Sequence, residues 1–344
     1  MSSSSLEKRV KVAVVQACPK IFNVEGTLEK IRTLCKDAAG QGANLVLFPE
    51  AFISCYPRGT TFGAVIGSRS AEGRELFRVY WESSVDVPGP VVDQLGRIAK
   101  ENRIQLVVGV VERDGGTLYC TVLFFTELGE FLGKHRKLMP TAAERLCWGF
   151  GDGSTLPVFS TKVGKVGTAI CWENYMPALR MALYAKGIEI YCAPTADSRE
   201  SWLSTMRHIA MEGRCFVLGC NQFIRKKDYP SNFPSEYDKE VDDEFVVCRG
   251  GSCIINPLGE ILAGPNFEGE AILMAELNMG DIIRGKFDFD ATGHYSRPDV
   301  FQLRVVEEEL SSVVFARSST RLATSPTSSI TQDNKKKTVD DHKA

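Results

Sequence analysis

Three stretches of this sequence, two apolar and one extended and basic, end on residues that could do covalent chemistry together. Leu45-Val46-Leu47-Phe48-Pro49 runs into the carboxylate of Glu50, and Gly133-Lys134-His135-Arg136 delivers a cation at Lys137. The third, Val166-Gly167-Thr168-Ala169-Ile170, stops at Cys171 and gives way to Trp172-Glu173-Asn174-Tyr175-Met176-Pro177. A strand end holds a side chain at a rigid edge where the backbone turns. A thiol, a base and a cation at three such ends are the minimum set for nucleophilic catalysis. A free thiol has a pKa of about 8.5 and is mostly protonated at neutral pH. Glu50 within hydrogen-bond reach could take its proton, and a lysine could steady the anion. Read alone, each residue also has an ordinary explanation: a strand-end carboxylate, a solvated basic run, a small buried hydrophobe. Residue alternation sets Lys137 on the face opposite Arg136 and Leu138, but spacing alone does not choose Lys137 over Lys134.

The surrounding residues carry a family resemblance. Phe48-Pro49-Glu50-Ala51-Phe52, Lys134-His135-Arg136-Lys137-Leu138-Met139-Pro140-Thr141 and Ile170-Cys171-Trp172-Glu173-Asn174 resemble, in this order, the Glu-Lys-Cys triad segments of the nitrilase superfamily. Trp148-Gly149-Phe150-Gly151-Asp152-Gly153-Ser154, Tyr191-Cys192-Ala193-Pro194-Thr195-Ala196-Asp197 and Gly293-His294-Tyr295-Ser296-Arg297-Pro298 match as well. The likeness runs from about Val10 to about Phe301. Within the superfamily the chain is similar to the nitrilase branch, and there to the plant-type, β-cyanoalanine-converting enzymes.

That resemblance implies Lys137 as the catalytic cation, Glu144 as a second glutamate that holds the lysine and helps deliver water, and the Trp172 backbone N–H as a donor to developing negative charge. It also implies substrate-pocket walls from Tyr56, Trp148, Trp172 and the segment at Thr195. The implied reaction converts a small-molecule nitrile to a carboxylic acid and ammonia, with some amide, through a Cys171 thioimidate and thioester; it needs no cofactor and no metal. An amidase or carbamoylase of the same superfamily is the alternative, and a non-catalytic assembly protein a third reading. The Trp172 indole could equally be core packing. His294 is expected to be a buried, hydrogen-bonded histidine, and Glu173 has no assigned role.

Composition narrows the partners. The 344 residues are 44% hydrophobic and 24% charged with a formal net charge of -2. Such a balance suits a soluble globular enzyme and makes no electrostatic case for nucleic acid or an anionic membrane. No apolar run is long enough to span a bilayer, and Met1–Arg9 lacks the apolar core of a signal peptide. Eleven cysteines, several within apolar strand-like runs, together with the lack of an Asn-x-Ser/Thr sequon, suggest a reduced, cytoplasmic protein. Cys215 with Cys220 and Cys248 with Cys253 have the wrong spacing for zinc, and no histidine follows at ligand spacing.

Hydrophobic periodicity places the chemistry in an α/β protein. Strands are predicted over 10–17, the segment ending at Glu50, 104–111, 188–193 and 215–220. Helices are predicted over 24–41, 91–102, 176–186 and 199–213. Hairpins turn at Leu128-Gly129 and at Leu258-Gly259, and the repeated Leu-Gly-Glu suggests two similar halves. The resemblance implies that they form an αββα four-layer sandwich. The expected organisation is a flexible terminus over 1–9, a single domain over 10–317 and a disordered polar tail over 318–344. Segments 56–70 and 225–244 read as insertions, which in the family help build a large homo-oligomer or spiral filament.

Overall fold

The computed structural model describes residues 8–230, 233, 241–313 and 315. Those up to Glu309 form one compact unit; the few described beyond it, all exposed, belong to a second. The tail expected over 318–344 lies outside the described residues, as does most of 1–9, although the first strand already begins at Arg9.

The first half contains β1 (Arg9–Gln16), α1 (Val24–Gly40), β2 (Leu45–Leu47), β3 (Ala64–Val65), β4 (Ser68–Arg69), α2 (Ala71–Glu82), β5 (Val85–Asp86), α3 (Pro90–Asn102), β6 (Gln105–Asp114), β7 (Thr117–Phe125) and β8 (Phe131–Arg136). The second contains β9 (Val158–Ser160), β10 (Lys165–Thr168), α4 (Pro177–Ala185), β11 (Ile190–Thr195), α5 (Glu200–Gly213), β12 (Phe216–Asn221), β13 (Phe223–Arg225), β14 (Val246–Arg249), β15 (Ser252–Ile255), β16 (Ile261–Asn266), β17 (Ala271–Asn278) and α6 (Gly280–Asp288). One sheet has the order β17-β1-β2-β6-β7-β8, with β5 beside β6; the other is β16-β15-β12-β11-β10-β9.

The two halves repeat each other in hydrogen-bonding sense. From β17, successive neighbours are antiparallel, parallel, parallel, antiparallel and antiparallel. From β9 the second sheet runs through the same series. The parallel steps are crossed by α1 and α3 in the first sheet and by α4 and α5 in the second, since parallel neighbours need a long connection. The echo of the two Leu-Gly-Glu hairpins is therefore a duplicated topology.

Side-chain alternation builds the layers. On β1, Val12 and Val14 face inward and join Ile190, Phe216 and Leu218 of the second sheet. Ala13 and Val15 face outward against Leu28 and Ile31 of α1 and Leu95 and Ile98 of α3. On the far side, Tyr191, Ala193 and Val217 pack against Leu183 of α4 and Met206 and Ile209 of α5. Three cores between four layers make the αββα sandwich. Burying each such aliphatic side chain stabilises the fold by about 1.5–3 kcal/mol.

Among the elements not legible from periodicity are α2, β17 and α6. Helix α2 buries only Gly73 and Tyr80, so its apolar stripe is thin, and its start is set by Ser70, whose Oγ accepts the Gly73 N–H at 2.9 Å. Strand β17 is fixed by pairing with β1, more than 250 residues away. The insertion at 56–70 is a series of tight turns closed by the β3–β4 hairpin. Of 225–244, residues 231–232 and 234–240 lie outside the described residues.

Candidate active site

The sulfur of Cys171 is presented by a turn, three residues beyond the strand that precedes it, and not by the strand end itself. Strand β10 ends at Thr168, and Cys171 opens a single 3-10 turn over Cys171–Tyr175. The reason is local: the Asn174 amide donates to the carbonyls of Ala169 and Cys171 at 2.9 and 2.8 Å, drawing the chain away from the sheet. Cys171 itself sits at φ 50°, a left-handed conformation that non-glycine residues seldom adopt. Strain of this kind clusters where a side chain is aimed for function. Thr195, the last residue of β11, donates its hydroxyl to Cys171 Sγ at 3.2 Å.

Glu50 lies in the turn after β2 and is wholly buried. The turn presses onto β6 at Gly109, where any Cβ would meet the Pro49 carbonyl oxygen at 2.1 Å, and Phe52 N–H donates to the Gly109 carbonyl at 2.8 Å. Gln222 secures it from the other sheet by donating to the Glu50 carbonyl at 2.8 Å. Neither Gly109 nor Gln222 was distinguishable in the sequence, since only close approach in space gives them a role.

Lys137 follows β8 and is also buried. Its Nζ donates to Glu50 Oε1 and to Glu144 Oε2, each at 2.7 Å. Glu144 is held in turn by the Tyr56 hydroxyl at 2.7 Å and the Thr141 N–H at 2.6 Å. The Cys120 thiol lies 3.5 Å from Glu50 Oε1. Glu50 Oε2, by contrast, has no hydrogen-bond partner among the described residues. Lys134 points elsewhere: it pairs with Glu112 at 2.5 Å, as Arg136 does at 2.6 Å. Geometry thus distinguishes the two lysines that spacing left open.

Burial sets the electrostatics. It pushes Glu50 above the usual carboxylate range; the Lys137 charge opposes the shift and Glu144 adds to it. Cys171 is pushed up to about 12, first by burial and then by the Glu50 charge, with Lys137 pulling the other way. Burial also works against the Lys137 ammonium, but the charges of Glu50, Cys171, Cys120 and Glu144 outweigh it and hold its pKa well above the ordinary value. The resting sulfur is therefore a thiol. A base must take its proton as it attacks, and Glu50, with one oxygen unengaged, is equipped to do so.

A cavity of about 240 Å³ opens beside the sulfur, lined by Tyr56, Glu144, Cys171, Trp172, Asp197 and Arg199 among others. Trp172 is 42% exposed at its mouth, so its indole is not core packing. The indole N–H donates to Asp197 Oδ2 at 3.0 Å, and the Arg199 guanidinium lies over its ring at 5.1 Å while pairing with Asp197. Burial works to raise the Asp197 pKa, but the Arg199 and Trp172 hydrogen bonds overcome it and hold the carboxyl below its usual range. Arg58 stands over Tyr56 and reaches the Ala196 carbonyl. Trp148 is placed behind the site: it is buried, donates to the Tyr80 hydroxyl at 3.2 Å, and lies 5.6 Å from Lys137 Nζ. His294, expected to be buried, is instead exposed beside Tyr295. Among the described residues, no group of three or more His, Cys, Asp or Glu side chains could hold a metal ion.

His135 is the buried histidine. Its Nε2 is 2.9 Å from Glu173 Oε2 and its Nδ1 is 2.6 Å from the Thr155 carbonyl oxygen. Burial lowers its pKa, but the Glu173 charge and these hydrogen bonds raise it above 6.5 on balance. A group with a raised folded pKa contributes stability that is fully present below its unfolded pKa and lost as pH rises through the folded one. The urea midpoint of the native protein should thus exceed that of His135→Gln most at pH 6, and the gap should narrow by pH 9. A gap that widens towards pH 9 would contradict this reading.

The comparisons with known proteins converge. The carbon-nitrogen hydrolase family profile matches residues 11–287. The chain is 56% identical over 330 residues to the bifunctional nitrilase/nitrile hydratase NIT4B of Nicotiana tabacum, covering 95% of this chain and 94% of that protein. It is 55% identical to the aliphatic nitrilase of Sinorhizobium fredii, covering 89% of this chain and 98% of that one. Among solved structures, Saccharomyces cerevisiae Nit3, a member of branch 10 of the nitrilase superfamily, superposes with a TM-score of 0.65 at 24% identity, covering 86% of this chain and 99% of that one. At that identity the likeness speaks for the fold.

Proposed function

The chain belongs to the carbon-nitrogen hydrolase family, and we propose that it is a nitrilase in which Cys171 is the nucleophile, Glu50 the base and Lys137 the cation. The observation that carries this assignment is the Lys137 ammonium held at 2.7 Å from both Glu50 and Glu144, beside a cavity that Cys171 and Glu144 both line. The close relatives named as nitrilases support the reaction class.

The chemistry follows from the groups in place. Cys171 passes its proton to Glu50 as the sulfur bonds to the nitrile carbon; Lys137 protonates the nitrogen and is reprotonated by Glu50, which gives a thioimidate and restores the Glu50 carboxylate. The backbone N–H of Trp172 serves the developing negative charge: Trp172 is the second residue of the turn that Cys171 opens, where N–H groups have no partner within the turn. Water, oriented by Glu144 and deprotonated by Glu50, adds to the carbon. Expulsion of ammonia leaves a thioester, and a second water releases the carboxylic acid and restores the thiol. If the tetrahedral nitrogen is not protonated, the thiolate leaves instead and the product is the amide. A difference of about 1.4 kcal/mol between the two exits changes the ratio tenfold.

A cavity of about 240 Å³ suits a small substrate. Its charged mouth of Asp197, Arg199 and Arg58 favours a polar amino-acid nitrile of the β-cyanoalanine type over an arylacetonitrile or a plain aliphatic nitrile. Ammonia release and product chromatography across a panel of nitriles and their matched amides test the proposal. The expected result is hydrolysis of β-cyanoalanine to acid with measurable amide, mostly acid from an aliphatic nitrile, and slower turnover of the amides. Faster turnover of the amides would replace the reading with an amidase. Equal amide fractions from both nitriles would show that substrate polarity does not control the partition.

A further inference from the structure

One buried carboxylate joins the two segments that carry the reacting residues, yet it does not line the cavity beside the sulfur. Glu173 Oε1 accepts the Leu138 N–H at 2.5 Å, and Oε2 accepts the Ile170 N–H at 2.8 Å. Leu138 is the residue after Lys137, and Ile170 is the residue before Cys171. Oε2 also meets His135 Nε2 at 2.9 Å, two residues before Lys137. Glu173 is 1% exposed, so these contacts are made away from water.

We infer that Glu173 is a positioning residue that sets the register of the Cys171 turn against the Lys137 segment. The need arises from the architecture. Strand β8 closes the edge of one sheet and β10 belongs to the other, so no ladder of backbone hydrogen bonds fixes their separation. The sheets meet through apolar packing, which is non-directional. Hydrogen bonds from two backbone N–H groups to one carboxylate are directional and short. They hold the backbone on one side of Lys137 and on one side of Cys171 to the same group. A misplacement of about 1 Å between reacting groups can slow an enzyme on the order of a hundredfold.

The inference rests on Cys171 and Lys137 acting as proposed; hydrolysis by the native enzyme decides that reading, and only the variants decide this one. Glu173→Gln keeps the shape but must turn an NH₂ group towards one of the N–H donors. It should lose about a hundredfold in kcat with KM within about twofold of native. Glu173→Asp should fail to rescue, because the shorter side chain cannot span Leu138 and Ile170 together. His135→Gln leaves both backbone contacts in place and should lose less than about tenfold. Urea unfolding and near-ultraviolet circular dichroism report the folded fraction of each variant. Native kcat per folded molecule in Glu173→Gln, or in Glu173→Asp should the glutamine variant not fold, overturns the inference. A loss in His135→Gln as large as in Glu173→Gln also overturns it, by assigning the effect to the buried charge pair.

Discussion

Cys171→Ala is expected to yield a folded protein that releases no measurable ammonia from any nitrile. Removing the one atom that forms the covalent bond eliminates the reaction path, and loss of a nucleophile in an enzyme of this kind costs on the order of a millionfold in kcat. The structural cost is small. The thiol contributes one buried heavy atom and one weak contact from Thr195, so the loss in stability should be about 1 kcal/mol. The left-handed turn does not depend on the sulfur, because Asn174 holds it through backbone carbonyls. Ammonia assay and urea unfolding on the same preparation separate the two effects. Turnover within tenfold of native would rule out Cys171 as nucleophile.

Lys137→Met is expected to damage both stability and activity. The native ammonium neutralises two carboxylates, each 2.7 Å from it, and all three side chains are buried. Removing one partner of a buried charge network strands the others, at about 3–5 kcal/mol. The stranded carboxylates repel, and binding one proton relieves them, which raises the folded pKa of that pair above its unfolded value. A carboxyl shifted upward binds more protons when folded, so folding gains as pH falls. The deficit of Lys137→Met in urea should consequently shrink on acidification towards pH 4. The double variant Lys137→Met/Glu144→Gln should recover much of the stability at pH 7 and none of the activity, because the cation that faces the substrate nitrogen is still missing. Ammonia release within tenfold of native from either variant would remove Lys137 from the mechanism.

How far the site was legible depends on the kind of signal each residue leaves. Glu50 and Cys171 each follow an apolar run, which was enough to nominate them; Lys137 follows an extended basic run, and it took the order of the family segments to choose it over Lys134. Glu144 needed the resemblance, since its own segment reads as a polar turn; the Lys137 and Tyr56 contacts that distinguish it come from other parts of the chain. His135 and Glu173 lie two residues from Lys137 and Cys171 and still escaped assignment. Their roles arise from a pairing across 38 residues that leaves no local pattern. Trp148 and Trp172 look alike as aromatic residues in matched motifs, but one is sealed behind the lysine and the other stands at the cavity mouth.

The sequence by itself determined what is periodic or covalent: alternating strands, amphipathic helices, two Leu-Gly-Glu hairpins, and a carboxylate, an ammonium and a thiol that each come shortly after a strand. Local backbone geometry and burial of apolar faces are encoded within short windows, so short windows reveal them. Tertiary structure decided which lysine meets the glutamates, which oxygen of Glu50 remains unengaged, how far the thiol pKa rises, and which tryptophan faces the substrate. Hydrogen bonds and charges act over a few ångströms in space between residues far apart in the chain, and their strength depends on exclusion from water. Both conditions come into being only when the two sheets close on one another.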